Sequence, residues 1–314
     1  MTIKFIDGKN IYYCAIIVKK VLILKSSHEI RMEVLEKSDM LLGIYIKNKQ
    51  IENDARLVDM ERRLSAAGCT LYNINDRSDI KKETDILLSI GGDGTFLSAS
   101  KRVADSGVPI LGVNLGRLGF LSENQPEDIV EPLLERKYEI ENRTMLYASI
   151  SGETAGRDIE FWPYALNEVT VHRSGAAILG INVSINGDVL PTYWADGLLV
   201  ATSSGSTAYS LSAGGPICLP DAKVLIVAPI APHNLNLRPL VVPENAVIEM
   251  SVESRDGSAV LTMDNRTMEI SPSVRLKVSM AQFSLKRIKL PESNFVKALV
   301  SKLYWGEDIR NNGD

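Results

Sequence analysis

The distribution of apolar residues changes in character along this chain. Between residues 40 and 143, short continuous apolar runs alternate with segments whose apolar residues recur every three to four positions. Leu41–Ile46 and Ile86–Ile90 are two such runs, and continuous runs of this kind are typical of strands buried in a parallel sheet. Residues 57–64 follow the first run with helical spacing. The pattern predicts a doubly wound α/β domain over residues 40–143.

Short alternating runs replace the helices from residue 144 onwards. The run at residues 181–185 ends in Asn186-Gly187, and Asp256-Gly257 lies between two further runs; both dipeptides favour a hairpin. We therefore expect a β-rich second domain over residues 144–284, built as an all-β sandwich. Residues 285–314 contain an amphipathic helix pattern after a proline, and we expect this segment to return to the α/β domain.

The first 39 residues precede this organisation and show no clear domain pattern. Their apolar run at residues 11–18 is ended by Lys19 and Lys20, well short of the length that a membrane-spanning helix needs. We expect residues 1–39 to be an atypical N-terminal extension, with Met40 as the natural start and no contact with a membrane.

Composition and charge narrow the class of protein. The 314 residues, of which 45% are hydrophobic and 24% charged, are typical of a globular protein with one large or two modest domains. A formal net charge of −4 gives no indication of nucleic acid as a partner. Cys14, Cys69 and Cys218 are scattered and form no CxxC pair, which favours a reducing cytoplasm over a disulfide framework or a zinc site.

The first chemically distinctive motif is Gly91-Gly92-Asp93-Gly94-Thr95, where the second apolar run gives way to a predicted helix. Glycine lets the backbone approach a bulky ligand, and a helix N-terminus offers N–H groups and a positive dipole end to phosphate. A carboxylate repels phosphate, so Asp93 is expected either to hold a metal ion or to take a proton from a nucleophile. The alternative is a tight strand–helix turn. Neither a Walker A pattern nor a full GxGxxG fingerprint occurs.

A second motif, at residues 203–216, combines glycines and small hydroxyl residues with one aromatic ring, Tyr209. A base can stack on such a ring while hydroxyls bind its edge or a phosphate. Asn167-Glu168 and Asp196 place polar groups within apolar stretches, where a buried carboxylate needs a partner or a ligand. Each alone can be explained as a surface residue. Together with the two glycine-rich motifs they predict a site for a hydroxyl-rich ligand that carries a base.

This ordered set of segments resembles the NAD kinase family, over about residues 40–306. The segments that carry the resemblance are residues 91–95, 112–121, 166–168, 196–216 and 231–240. The resemblance implies that ATP phosphorylates the 2′-hydroxyl of the adenosine ribose of NAD to give NADP. Gly-Gly-Asp-Gly alone is shared with diacylglycerol-type lipid kinases and is related to phosphofructokinases, so the ordered set is the more specific signal.

The resemblance also implies roles for individual residues. Asp93 would be the catalytic base that deprotonates the 2′-hydroxyl. Asn167 and Glu168 would bind ribose and phosphate groups of the dinucleotide, Tyr209 would stack, and Asp196 would contact NAD across a subunit interface. The other residues expected to bind nucleotide are Gly91, Gly92, Gly94, Thr95, Leu97, Phe120, Thr207, Ala208 and Ser212.

The implied substrates are NAD and ATP, the latter with Mg²⁺ or another divalent cation, and the implied assembly is a homodimer or homotetramer in the cytoplasm. No side chain is predicted as a direct metal ligand. Two alternatives stay open: a lipid or other small-molecule kinase that shares residues 91–95, and a non-catalytic NAD(P)-binding regulator. The chain departs from the family at residues 202–204, which lack the usual proline, and at residues 264–266, which replace Asp-Gly-Gln. We assign no ligand role to residues 264–266.

Overall fold

The structure is a computed structural model that describes residues 2–7, 10–15, 21–26, 29–34, 39–116, 119–152, 162–303 and 305. The four segments before residue 39 are described by their backbone alone and form two antiparallel hairpins. Their strands are β1 (Thr2–Asp7), β2 (Asn10–Ala15), β3 (Val21–Ser26) and β4 (Glu29–Val34). Much of the extension expected over residues 1–39 lies outside the described residues, so that boundary stays a prediction.

The first domain is the predicted α/β domain. Its elements are β5 (Leu41–Ile46), α1 (Ala55–Ala66), β6 (Thr70–Asn73), β7 (Ile86–Ile90), α2 (Asp93–Val103), β8 (Ile110–Val113), α3 (Pro126–Leu134) and β9 (Glu139–Arg143), with short 3₁₀ turns at Lys49–Ile51 and Arg77–Asp79. Every residue of β7 is buried, as its continuous apolar run requires for a strand covered on both faces. Helices α1 and α3 cover one face of the sheet and α2 covers the other, which confirms the doubly wound arrangement.

Local sequence explains where these helices begin and which side they bury. The Asp54 side chain accepts the Arg56 N–H at 2.9 Å and so caps the first turn of α1. Leu57, Met60 and Leu64 then recur on one face and are almost fully buried against the sheet. Burial of one such side chain contributes about 1.5–3 kcal/mol relative to leaving it in water.

The second domain consists of two antiparallel sheets. Its strands are β10 (Leu146–Ser151), β11 (Tyr164–Ala165), β12 (Glu168–Arg173), β13 (Leu179–Ile185), β14 (Asp188–Val189), β15 (Tyr193–Ala195), β16 (Gly197–Thr202), β17 (Val224–Ile230), β18 (Leu240–Pro243), β19 (Ile248–Glu253), β20 (Ala259–Met263), β21 (Arg266–Ile270) and β22 (Arg275–Met280). A 3₁₀ turn at Ser204–Thr207 and the short helix α4 (Tyr209–Ser212) follow β16. One apolar core is shared by the two sheets, which confirms the predicted sandwich.

The two predicted hairpins have different outcomes. Asn186 and Gly187 have φ values of 53° and 91°, and they join β13 to β14 as an antiparallel hairpin. The hairpin at Asp256-Gly257 is wrong, because this turn joins β19 in one sheet to β20 in the other. The Asp256 carboxylate accepts the Ala177 N–H at 3.0 Å, which ties the turn to a neighbouring loop instead of to a paired strand.

The last part of the chain returns to the α/β domain, as expected. Strand β23 (Leu285–Lys289) lies between β8 and β9, so that the first sheet has the order β6-β5-β7-β8-β23-β9. Helix α5 (Phe295–Leu303) follows, and its Phe295 ring lies 5.9 Å from the Phe120 ring, centroid to centroid. Among the described helices, none is long and apolar enough to cross a membrane.

Candidate active site

The turn between β7 and α2 is open on the side that a ligand would approach. Gly91 has φ of 141°, and a Cβ there would stand 2.4 Å from Thr95 Oγ1, so this position requires glycine. Apart from the adjacent residues and the backbone of α2, no described atom lies within 4 Å of the place that a Cβ would take on Gly92 or Gly94. Asp93 is the first residue of α2 and Gly92 is its N-cap. The predicted glycine-rich turn is thus present at the start of α2, with free space beside the helix N-terminus.

Asp93 is held by a loop of residues 119–122. Its Oδ2 atom accepts the Phe120 N–H at 2.9 Å, and its Oδ1 atom accepts the N–H groups of Leu121 and Ser122 at 3.0 and 2.9 Å. The loop is closed by the Gly119 N–H, which donates to the Ser122 carbonyl at 2.9 Å. A Cβ on Gly119 would stand 1.8 Å from Asp93 Oδ1. Gly119 is therefore needed for this contact, and the candidate residues drawn from the sequence omit it.

Lys302 on α5 is a second omission. Its Nζ atom donates to the Gly119 carbonyl and lies 4.4 Å from the centroid of the Phe120 ring. Burial lowers the pKa of Lys302, whereas the negative charges of Asp93 and Glu123 oppose that change. A helix that follows the second domain thus contributes a cation beside the Asp93 loop.

Asn167 and Glu168 stand at the start of β12 and are both 7% exposed. Within the described structure, Asn167 Oδ1 and Glu168 Oε2 are buried and have no hydrogen-bond partner. Burial is the main cause that raises the pKa of Glu168 to about 8, with a further contribution from the Asp264 charge, while a hydrogen bond from the Tyr209 N–H opposes it. Buried, unpaired oxygens are costly, so these two atoms could accept hydrogen bonds from a ligand's hydroxyl groups.

Asp264 shapes the backbone at these two residues. Its carboxylate accepts the N–H groups of Leu166 at 2.9 Å and Asn167 at 2.8 Å, and its own N–H donates to the Glu168 carbonyl at 3.0 Å. Asp264 has φ of 52°, which aspartate tolerates better than most residues. Burial raises the pKa of Asp264, and these N–H groups oppose the rise. No ligand role was expected at residue 264, and its role here is to position Asn167 and Glu168.

The motif at residues 203–216 folds against the same pair. Thr202 Oγ1 donates to the Leu166 carbonyl at 2.6 Å and accepts the Gly205 N–H at 3.1 Å. A Cβ on Gly205 would stand 2.1 Å from the Asn167 carbonyl oxygen, so only glycine permits this approach. Within the motif, Thr207 and Ala208 are partly buried and Ser212 is exposed. The structure therefore brings the second motif and Asn167-Glu168 together, as the sequence predicts.

Tyr209 presents one exposed ring at the edge of this region. The ring is 36% exposed and stacks on His172, with centroids 5.5 Å apart and an interplanar angle of 26°. Burial lowers the pKa of His172, and the nearby Asp196 charge opposes this change. Asp196 itself forms an ion pair with Arg173, with 2.8 Å between Oδ1 and Nε. Tyr209, His172 and Asp196 thus form one half-exposed cluster.

Buried charges connect the Asp93 loop with the second motif across the domain junction. Arg287 pairs with Glu123, the residue after the loop, and with Glu141 at 3.0 Å. Glu141 also pairs with Arg143 at 2.6 Å, and Arg143 approaches Ser204 Oγ at 3.5 Å. The Arg143 and Arg287 side chains are only 5% and 4% exposed. Loss of Arg287 would leave the Glu123 carboxylate without its paired cation, whereas Glu141 is shared by both arginines, and this shared pairing stabilises the junction.

The remaining candidate residues lie on α2 or on the Asp93 loop. Thr95 stands in the first turn of α2. Leu97 packs against an apolar cluster that contains residues of α2 and of the second domain. Phe120 lines a cavity of about 290 Å³ that also includes the buried arginines of the junction. Among the described residues, no cluster of three or more His, Cys, Asp or Glu side chains could hold a metal ion.

Comparison with known proteins gives a consistent family assignment. The model of the ATP-NAD kinase N-terminal domain matches residues 15–139, and that of the C-terminal domain matches residues 166–290. A protein of Flavobacterium psychrophilum named NAD kinase is 41% identical over 273 residues, which cover 86% of this chain and 87% of that protein. A Bacteroides fragilis protein of the same name is 40% identical over 232 residues, which cover 73% of this chain and 79% of that protein.

Two solved structures resemble this fold over most of its length. The yeast NADH kinase complexed with NADH has a TM-score of 0.75 at 20% identity and covers 92% of this chain and 95% of its own. The Archaeoglobus fulgidus NAD kinase in complex with ATP has a TM-score of 0.69 at 25% identity and covers 84% of this chain and 98% of its own. The pairing of an α/β domain with a β-rich domain is therefore shared with these kinases.

Proposed function

The chain belongs to the ATP-NAD kinase family, and we propose that it transfers the γ-phosphate of ATP to the 2′-hydroxyl of NAD with Asp93 as the base. The observation that carries the residue assignment is the pair of buried, unpartnered oxygens, Asn167 Oδ1 and Glu168 Oε2, within the described structure. A lipid kinase does not account for these acceptors beside an exposed aromatic ring. A non-catalytic NAD(P)-binding regulator would keep them but gives no reason for the carboxylate of Asp93, which the loop of residues 119–122 holds in place.

On the NAD side, ribose hydroxyls donate to Asn167 Oδ1 and Glu168 Oε2, which relieves the cost of leaving these atoms unpaired. The adenine stacks on the exposed ring of Tyr209. Thr207, Ala208 and Ser212 line the same segment. Support also comes from the yeast relative, which is an NADH kinase in complex with NADH. In a homodimer or homotetramer, the partner's copy of Asp196 would reach this dinucleotide.

On the ATP side, the phosphates approach the open turn of Gly91, Gly92 and Gly94, and Thr95 Oγ1 lies beside it. The Archaeoglobus relative is described in complex with ATP, which supports this assignment. Mg²⁺ keeps several waters and binds through substrate phosphates with one or two carboxylates, so a divalent cation would arrive together with ATP. That cation would neutralise charge on the transferring phosphoryl group. We also propose that the protein acts in the cytoplasm.

The hydrogen bonds to Asp93 support Oδ2 as the atom that would act as the base. Oδ1 accepts two N–H groups and Oδ2 accepts one, whereas a carboxylate offers about four acceptor positions. Oδ2 therefore keeps capacity to accept the proton of the 2′-hydroxyl. The three N–H groups hold the carboxylate in one orientation, which reduces the reorganisation needed for in-line transfer. General-base assistance of this kind contributes on the order of 10²–10⁴-fold.

The test is NADP formation from Mg-ATP and NAD, measured with an NADP-specific dehydrogenase. Asp93→Asn keeps an oxygen for the loop but removes the base, so we expect NAD affinity to persist and turnover to fall about 10²–10⁴-fold. Asp105→Asn, which changes an aspartate with a 61% exposed side chain, is the matched control. Unchanged turnover in Asp93→Asn would remove the base assignment. NAD binding without NADP formation by the wild type would instead favour a regulator.

A further inference from the structure

The C-terminal helix α5 reaches into the catalytic region through one side chain. Lys302 lies 183 residues after Gly119 in the chain, yet its Nζ atom donates to the Gly119 carbonyl. The same ammonium lies 4.4 Å from the centroid of the Phe120 ring, and Phe120 also contacts Phe295 of α5. Helix α5 therefore holds the Asp93 loop at two successive residues.

The chemistry of this contact favours a cation. Carbonyl oxygen and an aromatic face both attract an ammonium, and a charge-assisted hydrogen bond is roughly twice as strong as a neutral one. Asp93 and Glu123 are the negative charges that act on Lys302, and Arg287 is the cation that opposes them. An ammonium at this place is attracted to both carboxylates.

The position of Gly119 determines what Lys302 controls. Residues 119–122 form one turn, in which the Gly119 N–H donates to the Ser122 carbonyl at 2.9 Å. The next three N–H groups of the same turn are the donors to Asp93. A shift at the Gly119 carbonyl is therefore transmitted directly to the donors that orient the carboxylate.

We propose that Lys302 is a positioning residue for phosphoryl transfer, which holds the loop of residues 119–122 on Asp93 and thereby keeps Asp93 Oδ2 directed at the 2′-hydroxyl. The inference rests on the proposed function, because it assigns Lys302 an effect that passes through Asp93. The role proposed for Lys302 differs from NAD binding, which the proposed function assigns to Asn167, Glu168 and Tyr209, because those three residues make other contacts.

The first experiment compares Lys302→Met with Lys297→Met, a substitution of an exposed lysine on the same helix. We expect Lys302→Met to lower kcat about ten- to a hundredfold, the loss that corresponds to one hydrogen bond with a charged group. The KM for NAD should stay within about twofold, and Lys302→Arg should recover most of kcat because it keeps a charged donor. Lys297→Met should match the wild type.

A double-mutant cycle distinguishes positioning from a general loss of structure. If Lys302 acts through Asp93, Lys302→Met should cost about twofold or less in an Asp93→Asn background, where the base is already absent. A structural defect would instead lower activity by the same factor in both backgrounds. If Lys302→Met fails to fold, Lys302→Gln replaces it, with an expected loss of about three- to tenfold.

Each outcome decides the matter. Equal kcat in Lys302→Met and Lys297→Met overturns the inference. A rise in KM for NAD as large as the fall in kcat also overturns it, as does a Lys302→Arg variant that recovers none of the lost kcat. The inference also fails if Lys302→Met lowers activity by the same factor in the Asp93→Asn background as in the wild type. These results leave the proposed function intact, provided that the wild type forms NADP. Absence of NADP from the wild type contradicts the proposed function itself.

Discussion

Gly119→Ala tests the close approach of Gly119 to the Asp93 carboxylate, which leaves no room for a side chain. The added Cβ would stand 1.8 Å from Asp93 Oδ1 and 2.4 Å from Asp93 Cγ. Unbonded carbon and oxygen atoms need a separation of about 3 Å or more, so the carboxylate and the loop must move apart by more than about 1 Å. Such a displacement of a reacting group costs about 10²-fold in rate.

The size of the effect follows from what the displacement breaks. Three backbone N–H groups hold the carboxylate, and a hydrogen bond to a charged group contributes about 1.5–3 kcal/mol. The three share one turn and are not additive, so we expect an unfolding free energy lower by about 1–3 kcal/mol. Turnover should fall about 10²–10⁴-fold, as it does when a base is lost. NAD affinity should persist, because Asn167, Glu168 and Tyr209, to which the proposal assigns NAD binding, lie outside this loop.

Gly116→Ala is the matched control, since a Cβ there would meet only Asn114 Oδ1, at 3.9 Å, among the described atoms. Both variants are assayed for NADP formation, for NAD binding by calorimetry and for urea unfolding. Turnover in Gly119→Ala within about twofold of Gly116→Ala would refute the reasoning. Equal loss of turnover and of NAD affinity would also refute it, because the defect would then extend beyond the carboxylate.

Three further predictions concern the remaining parts of the site. Tyr209→Ala should weaken NAD binding by about 1–3 kcal/mol through lost stacking, and unaltered binding by calorimetry would exclude the stacking role. The pKa of Glu168 is raised from 4.5 to about 8, so its proton stabilises the ligand-free fold below about pH 4.5 and this contribution is lost as the pH rises to about 8. The Tm of the wild type should therefore fall between those pH values, and Glu168→Gln should make this fall smaller. Parallel curves of Tm against pH for the two proteins would contradict this. Arg287→Met should lower the unfolding free energy in urea by about 3–5 kcal/mol, because it leaves the largely buried Glu123 carboxylate without its paired cation, whereas Arg62→Met, at an exposed pair, should cost less than about 1 kcal/mol. Similar losses in the two variants would show that the junction is not held by its buried charges.

The fold was predictable to the extent that it depends on local periodicity. The continuous runs at β5 and β7 indicate buried parallel strands, and the alternating run at β13 with Asn186-Gly187 indicates a hairpin. Strand β23 escaped prediction, because its pairing with β8 and β9 depends on residues far away in the chain. The turn at Asp256-Gly257 was misassigned for a related reason: its local chemistry specifies a bend but not the sheet that receives the next strand.

The residues of the candidate site also fall into those that the local sequence indicates and those that it does not. Asp93, Glu168 and Tyr209 stand out because their residue types conflict with their apolar or glycine-rich surroundings. Gly119, Asp264 and Lys302 carry no such local signal, since each acts on a residue that is distant in sequence. Only folding shows that the Gly119 hydrogens face a carboxylate or that the Asp264 carboxylate holds the backbone at Asn167. The structure therefore adds the residues that orient the chemistry, whereas the sequence indicates those that perform it.

The place of β23 in the first sheet has a consequence for the synthesis of this protein. Until residue 289 has left the ribosome, β8 has an unpaired edge and β9 has no neighbour, although more than half of the chain has been made by then. An unpaired apolar edge invites pairing with another nascent chain. We therefore expect completion of the α/β domain to wait for the synthesis of β23, and translation products truncated before β23 to be prone to aggregation.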